Sequence, residues 1–140
     1  MKFYKQLIES IIDIPRKDYA PGVFDNADTE NPKLKQKVLD MIDKQMKEFE
    51  KLAPVKETSL IGSILTKRYR NDADLDINVL FDVPEAEQEE RRLQYSSLLK
   101  DINGKLVPGT AHPVNYYVIT DPKVYDNNNL KADGIFSIKN

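Results

Sequence analysis

The chain has 140 residues, 40% of them hydrophobic and 31% charged, with a formal net charge of -2. That is enough for one domain with its own core, and near neutrality gives no bias toward bulk nucleic-acid binding. No cysteine is present and histidine occurs once, which excludes disulfides, cysteine nucleophiles, thiolate metal sites and a multi-histidine zinc site built from this chain.

In chain order, Phe3, Leu7, Ile8, Ile11 and Ile12 recur at helical spacing, and Pro15 stops that helix at or before Ile14. Residues 15–30 contain Pro15, Pro21, Gly22 and Asn26 and read as an irregular connection. Asn31-Pro32 has the form of a helix start, a capping side chain before a proline at the first helical position. The stripe Leu34, Val38, Met41, Ile42, Gln45, Phe49, Leu52 follows, backed by a charged face, until Pro54.

Thr58–Ile61 reads as a strand running into Gly62-Ser63. Leu75, Ile77, Val79 and Phe81 alternate with Asp74, Asp76, Asn78 and Leu80, the period of a strand. From Asp82-Pro84 a charged helix is expected to about Leu99, with Leu93, Leu98 and Leu99 on its apolar side, and Asn103-Gly104 ends it. Val114, Tyr116 and Val118 alternate with Asn115, Tyr117 and Ile119 as a further strand. Asp126–Asn129 reads as a polar loop, and Gly134–Ile138 as a last short strand. Strands separated by helices indicate an α/β or α+β domain with a mixed sheet flanked by helices. We expect a single domain over 1–140, its core at about 31–120, with 1–30 an N-terminal helix and connection. No apolar run approaches the ~18 residues of a membrane span, and the N-terminus does not read as a signal peptide, so a soluble, cytoplasmic protein is expected.

The chemistry concentrates in Leu60-Ile61-Gly62-Ser63, ten further residues, and Asp74-Leu75-Asp76-Ile77. Residues two apart on a strand share a face, so Asp74 and Asp76 project together while Leu75 and Ile77 turn to the core. Paired carboxylates repel unless a cation lies between them, and oxygen-rich sites suit magnesium or manganese. Gly62 allows close backbone approach to a phosphate, and Ser63 offers a hydroxyl and an amide as donors.

This stretch resembles the signature of nucleotidyltransferases of the DNA polymerase β superfamily, a group that includes poly(A) and CCA-adding enzymes, aminoglycoside nucleotidyltransferases and small antitoxin-type members. Residues 58–119 carry the resemblance. It implies metal-dependent transfer of a nucleoside monophosphate from a nucleoside triphosphate, such as ATP, to a hydroxyl on RNA, protein or a small molecule. Gly62 and Ser63 would hold the triphosphate, with Lys67 or Arg68 contributing, and Asp74 and Asp76 would bind Mg2+ or Mn2+. Active members usually carry a third carboxylate on a later strand. Here the matching residue is Asn115, a neutral amide that is no general base. Either Asp121, Asp126 or Asp133 supplies that carboxylate, or the chain is a catalytically degenerate module for nucleotide binding, regulation or protein interaction. A partner chain or an oligomer completing the pocket is a third arrangement.

Simpler readings stand beside these. The two aspartates with Asp72 would also make a solvated acidic edge, and Lys67, Arg68 and Arg70 a solvated basic loop. His112 reads more readily as a residue at the start of a strand than as a base. Of Tyr116 and Tyr117, one packing and one interfacial ring are expected.

Overall fold

The computed structural model describes residues 15–139. The helix expected at 3–14 lies outside them. Phe24–Asp25 (β1) and Lys33–Leu34 (β2) pair as a small antiparallel ribbon. Helix α1 spans Gln36–Phe49 and strand β3 Val55–Ile61. Strand β4 is Leu75–Phe81, helix α2 Gln88–Leu98 and strand β5 Lys105–Leu106. Strand β6 is Pro113–Ile119, helix α3 Pro122–Lys131 and strand β7 Ile135–Lys139. The main sheet has the order β5-β6-β4-β3-β7. Among the described strands only β4 and β6 run parallel, linked through α2 as a parallel pair requires. This is the expected α+β fold with a mixed sheet. Among the described residues no helix is long and apolar enough to cross a membrane.

The two faces of β4 set the architecture. Leu75, Ile77, Val79 and Phe81 are fully buried in the main core. Val38, Ile42, Met46 and Phe49 of α1 belong to the same cluster; of the stripe read from the sequence, Leu34 instead lies in β2 and Leu52 is exposed beyond the helix. Phe49 packs edge-on against Phe81 and Tyr116, with ring centroids 5.8 and 5.4 Å apart. The alternate residues Asp76, Asn78 and Leu80 face the other way. There α3 covers one end of the sheet, where Leu80, Ile119 and Tyr125 form a small second cluster. The other end of that face carries the carboxylates.

Three local expectations are corrected. Helix α1 begins at Gln36, not at Asn31-Pro32, and its N-cap Lys35 makes no side-chain capping bond. Lys33–Leu34 is claimed by pairing with Phe24–Asp25, and the Lys35 amide donates to the Val23 carbonyl at 2.9 Å, which holds this stretch extended. The supposed loop Asp126–Asn129 is part of α3. Asp121 caps that helix by accepting from the Lys123 amide at 2.9 Å, and Pro122 occupies its first turn. Finally, Leu93 and Leu98 lie exposed on α2. Its buried anchor is Tyr95, whose hydroxyl donates to the Leu52 carbonyl at 3.1 Å.

Candidate functional site

Strand register assembles the site. Ile135, Ile61, Asp76 and Asn115 form one row across β7, β3, β4 and β6. Ser137, Ser59, Asn78 and Tyr117 form the next row on the same face. Asp74 lies just before β4, and Asn115 Nδ2 donates to its Oδ2 at 3.0 Å. The Tyr117 hydroxyl donates to Asp76 Oδ1 at 3.3 Å. Leu75 and Ile77, between and after the aspartates, are buried as the alternation requires. Asp74, Asp76 and Asn115 are thus gathered on one face, and each aspartate has a donor from β6.

Asp74 disturbs its neighbour. Burial and the neighbouring Asp74 raise the Asp76 carboxyl above its ordinary value of 3.8, against a smaller lowering by the Tyr117 bond. The Tyr117 phenol is raised too, by burial, by the charge of Asp76, by its bond to that carboxylate and by Asp74. Such a crowded oxygen pair fits one hard divalent cation, with Asp74 and Asp76 as anionic donors. Among the described residues no group of three or more His, Cys, Asp or Glu is arranged to hold a metal. Asp121, Asp126 and Asp133 therefore do not complete a triad with Asp74 and Asp76.

Beside the pair, β3 ends in a turn. Gly62 has φ 104° and ψ -173°, a conformation essentially confined to glycine. A Cβ there would lie 3.4 Å from Asp76 Oδ2. Ser63–Leu65 then makes one turn of 3-10 helix, and Thr66 donates back to the Ser63 carbonyl through its amide and its hydroxyl, at 2.9 and 2.8 Å. A basin next to this turn is lined by Ser63, Thr66, Lys67, Arg68, Arg70 and Asp133. Arg68 and Arg70 are exposed at its rim, while the Lys67 ammonium sits 5.2 Å from the centre of the Tyr19 ring. The basic residues between the two halves of the motif thus converge on the turn.

His112 is 7% exposed and donates through Nδ1 to the Ala73 carbonyl at 2.8 Å. Its ring faces Tyr69, so it braces the backbone just before Asp74. Tyr116 is buried, which raises its phenol above the ordinary value, whereas Tyr117 is 47% exposed on the site face. Tyr116 is thus the expected packing ring, and Tyr117 lies at the surface.

The sequence reading missed the support beneath the carboxylates. Asn129 Oδ1 accepts from Ser59 Oγ at 3.0 Å and from Asn78 Nδ2 at 3.2 Å. The Tyr125 hydroxyl donates to Ser59 Oγ at 2.9 Å. This network fixes α3 to β3 and β4 one row below Asp76. Asn78 was visible in the polar phase of β4, but Asn129 was hidden by the reading of its segment as a loop.

A family model for the nucleotidyltransferase domain matches residues 42–128, from within α1 to within α3. No curated protein and no solved structure gives a significant match.

Proposed function

Because the chain belongs to the nucleotidyltransferase domain family, we propose that it binds a nucleoside triphosphate with Mg2+ or Mn2+ and transfers the nucleoside monophosphate to a hydroxyl. The observation that carries this reading is the contact between the two halves of the motif: a Cβ on Gly62 would lie 3.4 Å from Asp76 Oδ2. Gly62 leaves space for a phosphate near the carboxylates, and Ser63 supplies a hydroxyl and an amide to it. Lys67 and Arg68, with Arg70, offset the charge of the departing pyrophosphate. Asp74 and Asp76 hold the cation, which when bound neutralises phosphate charge and sharpens the electrophilic phosphorus. In-line displacement sets the attacking oxygen opposite the leaving group, and so over β6.

Titration calorimetry with ATP and the other nucleoside triphosphates, with and without magnesium, tests the reading. Binding should require the metal and be lost in Asp74→Ala while the variant keeps its thermal transition. Undiminished binding in that variant would sink the site.

One observation favours a second reading. Asn115 stands in register with Asp76 as an amide, which accords with a module that binds nucleotide but no longer turns it over. Transfer by the unaltered chain to any acceptor would dismiss it.

A further inference from the structure

The two oxygens of Asp76 face different ways. Oδ2 lies toward the Gly62 turn, and Oδ1 accepts from the hydroxyl of Tyr117. Across the sheet the order is therefore phosphate turn, carboxylates, phenol. With the leaving group at the turn, an in-line attack would come from the β6 side, the side on which this hydroxyl lies. Tyr117 is also accessible, at 47% exposure, and belongs to a β6 strand fixed by pairing on β4.

We propose that Tyr117 is itself a nucleotidyl acceptor, so that the chain modifies its own tyrosine from a nucleoside triphosphate. This rests on the transferase reading above. The Tyr117 phenolic oxygen forms a bond to the α-phosphorus. The bond from that phosphorus to the oxygen bridging toward the β-phosphate breaks, and pyrophosphate leaves with the electron pair. The phenolic proton passes to solvent water, which reaches the 47% exposed ring. The product is a tyrosyl phosphodiester of the nucleoside.

The intact chain is incubated with each nucleoside triphosphate labelled at the α-phosphate, with magnesium or manganese. It is then denatured, digested and sequenced by mass spectrometry, with calorimetric binding measured on the same preparation. The expected result is a covalent nucleoside monophosphate on the peptide bearing Tyr117. That label is lost in Tyr117→Phe, which keeps nucleotide binding, and in Asp74→Ala, which does not. Nucleotide binding without any label, or label that persists in Tyr117→Phe, overturns the proposal and leaves the nucleotide site standing. Absence of nucleotide binding overturns both.

Discussion

Asn115 reaches from β6 to Asp74 on the neighbouring segment and donates to its Oδ2 at 3.0 Å. The same residue is the register partner of Asp76. An amide thus bonds one aspartate and stands in register with the other. It lends a donor to one carboxylate and adds no charge of its own.

Asn115→Asp replaces that donor with a third anion. In chelator the repulsion among three carboxylates should lower Tm. With magnesium the extra charge should tighten metal-dependent nucleotide binding about tenfold, equivalent to ~1.4 kcal/mol. Calorimetry and melting curves in the two buffers check both signs. Equal behaviour of variant and parent would show that position 115 does not face the metal.

Asp76→Asn removes the group whose ionisation the fold opposes. Its carboxyl is raised in the folded state by burial and by Asp74, so the ionised form costs stability at neutral pH. The amide should therefore melt above the parent in chelator. Added magnesium should raise the parent's Tm and leave the variant's unchanged. A variant that melts lower in chelator contradicts the electrostatic account.

Gly62→Ala forces a side chain into φ 104°. The cost should be about 1–3 kcal/mol, read as a fall in the urea midpoint. Nucleotide affinity should fall as well, because the new methyl abuts Asp76. A variant as stable as the parent would mean that the turn relaxes freely.

Asn129→Leu strands Ser59 and Asn78, both nearly inaccessible to solvent. Leaving buried polar groups without their acceptor should cost about 1–3 kcal/mol in chemical unfolding. Removing the partners together, as Ser59→Ala, Asn78→Leu and Tyr125→Phe with Asn129→Leu, should recover part of that loss. Additive losses would show that the network carries no coupling.

Where period and burial agree, the sequence was readable. Leu75, Ile77, Val79 and Phe81 alternate because one side of β4 meets α1, and the polar phase of that strand marked the candidate site. Helix boundaries were harder, and two dipeptides show why. Asn31-Pro32 and Asp121-Pro122 carry the same local signal, a capping side chain before proline. Asp121 does cap α3, while Asn31 precedes a strand, because Lys33–Leu34 finds a partner in Phe24–Asp25. That choice depends on a pairing eight or more residues away, which no local signal encodes. The aspartates were legible because their chemistry is local to one strand. Tyr117 took on a defined partner only when the parallel register brought β6 beside β4.

One contact made at the far edge of the sheet reaches back into the turn. The Gly62 amide donates to the Gly134 carbonyl at 3.2 Å, and a Cβ on Gly134 would strike Leu65 Cβ at 2.8 Å. The start of β7 and the segment after Gly62 are thus mated surfaces, like two gear teeth without clearance. If a phosphate reshapes that segment, β7 must shift with it, so amide exchange along Ile135–Lys139 becomes a remote gauge of occupancy.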